Sequence, residues 1–406
     1  MMIVNKDKTL DSETTIEHLR HLSVVIGPRG STTQNEELAA EYCLRHFQEL
    51  GINAQIQEFS SPKTGWRQHS LAAAIGLISI GLAWFGGSTG SVISAIIMIA
   101  TTTSVILELY FQPNLLRFFM PKSKSHNVIA RVNPNDEVKK QLLIVSHIDS
   151  HRTPWVFTTK NRLRLLHIIT TLGTISFFLS TIIFLIMTFV DWEILRWVLL
   201  LFIPIFLFLF ILTFQPDTTP FTKGANDNAS GAAIILDIAR KVVEEPLRNL
   251  EIWILCSGSE EVGSYGIQAF IKENKSALKN FWGINIDNVG GKGVGVCYTS
   301  SEGMIFRVNP SPELIRLADQ VKADLNKIEI YSLPYNMLHT DGTCMMLNGI
   351  PTISIVGLTP GGEIPDWHRQ SDIFNNIDPV TVINNELFVS ELLHRINSEV
   401  ESLGTD

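Results

Sequence analysis

The run QLLIVS (residues 141–146), followed at once by His147-Ile148-Asp149, decides how this chain is read. A short apolar run ending abruptly in charged residues predicts a buried strand with polar side chains just beyond its carboxyl end. The same pattern recurs downstream. LEIWILCS (250–257) leads to Ser259-Glu260-Glu261-Val262-Gly263, and WGINI (282–286) ends in Asp287. The loop GANDNASG (224–231) carries Asp227 and opens a helical pattern, while Asp366-Trp367-His368 follows a Gly-Gly loop.

Around these runs the periodicity alternates. Strands are predicted at 54–59, 127–132, 294–298 and 352–356, and helices at 33–50, 229–243, 311–325 and 378–400. Alternating strands and helices predict an α/β fold: a three-layer α/β/α sandwich on a mixed, mostly parallel sheet. In such sheets ligands sit beyond the carboxyl ends of the strands, where the carboxylates and histidines cluster here.

Two stretches do not belong to that pattern. Residues 70–107 hold no charged side chain, and neither do residues 165–190; 197–214 is apolar again after Asp191, Glu193 and Arg196. The first stretch reads as spans 70–86 and 91–111 joined by a turn at Gly86-Gly87-Ser88-Thr89-Gly90. The 165–190 run, at about 1.5 Å per residue, is long enough for a hydrocarbon core of about 30 Å. Two transmembrane helical hairpins, 69–111 (whose short spans also allow a re-entrant hairpin) and 165–214, are therefore predicted to interrupt one domain assembled from 1–68, 112–164 and 215–406. Lys63, Arg67, Arg117, Lys122, Lys124, Arg152, Lys160, Arg162, Arg164 and Lys223 flank the hairpins on the domain's side, whereas the connecting turns offer only Arg196. This bias predicts a multi-pass protein of the cell membrane, with the lipid bilayer as a partner and the folded domain in the cytoplasm.

Composition agrees. Only 18% of residues are charged, which excludes a disordered chain, and acidic residues outnumber basic ones by 40 to 32, giving a net charge of -8 that speaks against nucleic-acid binding. Cys43, Cys256, Cys297 and Cys344 form no C-x-x-C pair, and reduced thiols are expected. Residues 1–30 mix charges without the apolar core of a secretory signal.

Singly, each polar residue has an ordinary explanation: an Asp before a helix is a cap, and paired glutamates are a solvated face. Together, two histidines and several carboxylates suit zinc or a similar divalent ion. The ordered set His147/Asp149, GANDNASG, EEVGSYG, NIDN and WH resembles the co-catalytic di-zinc aminopeptidases of metallopeptidase clan MH, family twenty-eight. The resemblance covers the chain outside the hairpins. It implies two divalent ions, expected to be zinc, one held by Asp227, Glu261 and His368, the other by His147, Asp227 and Asp287, with Asp227 bridging. It makes Glu260 the general base and Asp149 the carboxylate that orients His147. It also implies a non-proline cis peptide at Asp227–Asn228.

The implied function is a membrane-anchored aminopeptidase acting on peptides. A metal-activated water would attack the scissile carbonyl, and Glu260 would carry its proton to the leaving amine. The alternatives are a related amidohydrolase or carboxypeptidase, a one-metal glutaminyl cyclase, and a non-catalytic membrane scaffold. The sequence departs from the family at Thr340-Asp341-Gly342, where the common S-D-H lacks its histidine, so no specificity residue is carried over. Ile364, Trp367, Met345 and Met346 are candidates for an apolar pocket or for ordinary packing.

Overall fold

The structure, a computed structural model, describes residues 6–402. The chain divides into two compact units. One comprises residues up to 61 with 123–151 and 221 onward; the other comprises 62–122 and 152–220.

The first unit is built on an eight-stranded sheet. Its strands are β1 (Asn53–Pro62), β2 (Lys122–Val132), β3 (Lys140–His147), β4 (Leu250–Ser257), β5 (Phe281–Asp287), β6 (Val296–Glu302), β7 (Ile330–Tyr335) and β8 (Thr352–Val356). They run in the order β1-β2-β4-β3-β5-β8-β6-β7. The central four, β4, β3, β5 and β8, are mutually parallel, whereas β2 pairs antiparallel with β4, and β6 with β8. The sheet is thus α/β, mixed and mostly parallel. β5 is buried along its whole length and β3 over its last six residues, as strands covered on both faces must be. The helix Ser230–Glu244 supplies Ala232, Ile235, Leu236 and Ala239 to the same core that Ile144, Ile254, Ile284 and Ile355 enter from the strands.

Parallel registry fixes where the strands end. His147 lies beside Ser257, and Asp287 beside Val356. The residues following β3, β4, β5 and β8 therefore emerge along one edge of the sheet. Elements not legible from periodicity include the helices Lys6–Arg20, Tyr265–Asn274 and Asp341–Leu347, and β7. β7 carries Pro334 and stands at the sheet's edge, where a missing N–H is tolerated.

The second unit is helical. Its main helices are Arg67–Phe85, Gly87–Leu109, Lys160–Met187, Glu193–Leu200 and Ile203–Phe214. Close packing relies on small residues. A Cβ on Gly76 would stand 2.9 Å from the Phe206 ring, and one on Gly173 would stand 2.5 Å from Leu209. Ser94 donates to the Ser79 carbonyl at 2.8 Å, and Thr102 bonds Thr181 at 2.8 Å. Such small and hydroxylated contacts are how helices associate where water supplies no hydrophobic drive.

The turn expected over 86–90 is tighter than read, because the second helix already begins at Gly87. A Cβ on Gly90 would stand 2.0 Å from the Leu82 carbonyl oxygen, so glycine lets the helix start there. The run 197–214 is likewise broken at Leu201–Phe202, just before Pro204, whose missing N–H disfavours a continuous helix. The compact unit also extends past the apolar runs. Within it Arg67 pairs with Asp217 at 2.7 Å, Trp66 packs edge-on against Phe157, and Leu116 joins the apolar core.

Candidate metal centre

His147 ends β3, and its ring is held by the loop that follows. Nδ1 lies 3.1 Å from the Asp149 carbonyl oxygen, which can only accept, so Nδ1 carries the proton and Nε2 presents its lone pair. The Asp149 carboxylate is slightly farther, at 3.5 Å. Its oxygens receive three other donors: Ser31 Oγ at 2.5 Å and the Glu260 and Glu261 amides at 3.1 and 3.2 Å. Asp149 thereby fixes the turn that carries both glutamates.

Asp227 comes from the loop before the Ser230–Glu244 helix, and its peptide bond to Asn228 is cis. Asn228 ties this loop to the sheet, donating to Ser146 Oγ and the Ile286 carbonyl, both at 3.0 Å. Gly231 must be glycine here, since a Cβ would lie 2.6 Å from that carbonyl and from Ser146 Oγ. Asp227 then faces two histidines. Oδ1 is 3.2 Å from His147 Nε2, and Oδ2 is 3.1 Å from His368 Nε2. Asp287, at the end of β5, places Oδ1 3.4 Å from His147 Nε2, and Glu261 places Oε2 3.2 Å from His368 Nε2. Glu260 is set back, its Oε2 4.0 Å from His147 Nε2. All five sequence-predicted ligands are thus brought together, with Glu260 beside them and Asp149 behind.

Ligands about 2.0–2.1 Å from a tetrahedral zinc ion stand about 3.3–3.4 Å from one another. The four separations above, 3.1 to 3.4 Å, match that spacing. Asp227 Oδ2 and Glu261 Oε1 are buried without a hydrogen-bond donor. A buried carboxylate oxygen without a donor calls for a cation. The residues therefore fit two divalent ions sharing Asp227.

Electrostatics in the ion-free chain point the same way. Burial pushes the Glu260 carboxyl well above its ordinary range, with Asp341, Glu261 and Asp287 adding to the effect against His147. Glu261 is raised likewise, by burial and by Asp227. Burial disfavours charge on His147, yet Glu260, Asp149, Asp227 and Asp287 outweigh it and lift its pKa well above normal. Four carboxylates gathered with so little compensation form a strongly cation-attracting site.

Sequence reasoning missed several neighbours. His151 stacks on His368, with centroids 3.6 Å apart and planes 16° from parallel. A ring nitrogen of His151 lies within 4.8 Å of ligand atoms of Glu261 and His368, so these three side chains also form a group that could hold a metal ion. Asp341 of the divergent Thr-Asp-Gly is fully buried and accepts from Ser257. Met345 packs against Gly283 of β5, so packing accounts for it; Ile364 is buried, and Trp367 is buried with its ring against His368.

Residues 216–393 match the model of peptidase family M28. That stretch holds Asp227, Glu260, Glu261, Asp287 and His368; His147 and Asp149 lie before it. Aminopeptidase YwaD of Bacillus subtilis is 37% identical over 84 residues, which span 20% of this chain and 18% of that protein. Among solved structures, the zinc aminopeptidase BSAP from Bacillus subtilis superposes with a TM-score of 0.56 at 14% identity, covering 95% of both chains. Glutaminyl cyclase from Porphyromonas gingivalis superposes with 0.53 at 16% identity, covering 95% of this chain and 98% of that one. These likenesses establish a shared α/β fold.

Proposed function

We propose, from the match of residues 216–393 to the model of peptidase family M28, that the chain is a membrane-embedded di-zinc aminopeptidase of that family. The observation that carries this reading is Asp227, whose two oxygens each face a different histidine at 3.2 and 3.1 Å. His147 and Asp287 would hold one ion with it, and Glu261 and His368 the other. When bound, zinc supplies Lewis acidity, lowering the pKa of a coordinated water and polarising a carbonyl.

The chain's own residues do the rest. Glu260, whose Oε2 is set back 4.0 Å from His147 Nε2, would take the proton from the attacking water and deliver it to the leaving amine. Its raised proton affinity suits that exchange. Asp149 keeps Glu260 and Glu261 in their separate positions by holding both their amides. A glutaminyl cyclase shares the fold, but a single ion would leave two of the five donors unused.

The second unit supports membrane insertion. Three of its helices run 19, 23 and 28 residues, and with the Glu193–Thr218 segment four are long and apolar enough to cross a bilayer. Ile78, Ile96, Leu179, Ile182 and Ile211 point outward. The lysine and arginine bias supports a cytoplasmic peptidase domain. Ser88 and Asp191, both exposed, lie at the two connecting turns of the helical unit, and the four native cysteines are buried. Ser88→Cys and Asp191→Cys should therefore label from outside the cell; labelling only from the cytosolic side reverses the orientation.

The activity is tested by giving purified protein a panel of aminoacyl-nitroanilides beside an N-terminal glutamine substrate, with and without chelator. Chelator-sensitive release of nitroaniline supports the reading. Cyclisation of glutamine without hydrolysis replaces it with a cyclase.

A further inference from the structure

The loop that presents Asp227 is gripped from two directions by side chains outside the donor set. Arg29 is completely buried, and its guanidinium reaches five main-chain carbonyls: Leu22, Gly27 and Lys223 from Nη1, Gly224 from Nη2 and Ile148 from Nε, all at 2.8 to 2.9 Å. Two of these carbonyls open the Asp227 loop, and a third lies between His147 and Asp149. The fork therefore staples two donor-bearing segments that are about 80 residues apart in sequence. Gly224 has φ of 58°, and a Cβ there would meet Arg29 Nη2 at 2.9 Å, so the loop backbone lies directly on the guanidinium.

Asp372 holds the other side. It is buried, and its oxygens accept the Asn226 amide at 2.6 Å and the Asp227 amide at 3.2 Å. The carbonyls before the bridging residue are thus fixed by a cation, and the amides at it are fixed by an anion. Reversing either partner's donor or acceptor character would turn the peptide planes and move both Asp227 oxygens.

We infer that Arg29 and Asp372 are positioning residues for the metal bridge: together they set the orientation of Asp227 that lets one carboxylate serve two ions. The inference rests on the di-zinc reading of the site. Lysine cannot replace Arg29, because one ammonium cannot reach five carbonyls spread around a planar fork. Asparagine cannot replace Asp372, because its NH₂ would confront one of the two amides.

The test uses the full chain in detergent and compares wild type, Asp372→Asn and Arg29→Lys. Zinc affinity is measured by competition with a chelator, bound cobalt by its visible absorption, and the fold by melting of the metal-free protein. Outer partners of metal ligands typically contribute 10–100-fold to affinity. Both variants should bind zinc at least about 10-fold more weakly, with an altered cobalt spectrum, while the metal-free protein stays folded. Wild-type affinity and spectrum in both variants would overturn the inference and leave the di-zinc reading standing. Loss of the metal-free fold in both would assign the pair to folding and also overturn it. A wild type that takes up no zinc would remove the reading itself, and the inference with it.

Discussion

The two units bury opposite kinds of chemistry. In the sheet unit the informative side chains are buried and charged: Asp227, Glu261, Asp287, His147 and His368 converge with little hydrogen bonding among themselves. In the helical unit most buried polar groups are neutral hydroxyls, and its buried charge, Arg117, is paired with Glu108. Ser176, Ser180 and Thr181 each donate to a carbonyl four residues earlier in their own helix, and the outward side chains are aliphatic. A buried charge and an exposed aliphatic are each expensive in water. The first points to a cation in the site, and the second to lipid around the helices.

The largest expected effect separates two adjacent carboxylates in the sheet unit. Glu260→Gln should keep both ions and lose about 10²–10⁴-fold in turnover, as expected for a positioned proton acceptor. Glu261→Gln should instead lose affinity for one ion. Metal analysis beside kinetics at saturating zinc distinguishes them, and wild-type turnover in Glu260→Gln would leave the mechanism without its base.

In the helical unit, Ile175 is about half exposed near the middle of the 28-residue helix. If lipid surrounds it, Ile175→Lys should disfavour insertion by about 2.5–3.5 kcal/mol, read as reduced recovery in washed membranes. An unchanged membrane yield with better solubility would mean that this face meets water. Packing inside the same unit gives a smaller effect. Gly76→Val drives a side chain into Phe206 and should lower stability by about 1–3 kcal/mol, measured by melting in micelles; an unchanged melting temperature would show that the helices do not pack there.

A pH-dependent effect belongs to the sheet unit. Burial, with help from His46, lowers the His18 pKa to about 3. The unfolded chain takes up a proton near pH 6.5, which the folded chain refuses until far lower. Stability from this group is therefore complete above pH 6.5 and drains as pH falls toward 3, by at most about 1.4 kcal/mol per pH unit. His18→Gln, which can still bond Tyr42, should flatten the acid slope of the melting temperature; an unaltered slope would place the titration elsewhere.

These comparisons also show what a sequence can carry. His147, Glu261 and Asp287 were legible because each follows an apolar run and strand ends meet in a parallel sheet, whereas Asp227 and His368 stand in loops and joined the set only through the resemblance of the ordered motifs. The apolar helices were legible from length alone. Arg29 and Asp372 were not, because their partners are main-chain carbonyls and amides, which leave no mark on composition or spacing. His151 sits two residues from Asp149, yet nothing local announces a stack on His368. The helix Asp341–Leu347 is seven residues with a glycine inside it, too short for periodicity to speak.

The central claim is that one carboxylate serves two ions, and metal content tests it most directly. Zinc per chain is to be measured in wild type and in Asp227→Ala after equilibration at micromolar free zinc. The account predicts about two ions in wild type and the loss of both in Asp227→Ala, with no measurable hydrolysis remaining. A single tight ion in wild type, or two ions retained by Asp227→Ala, would contradict it.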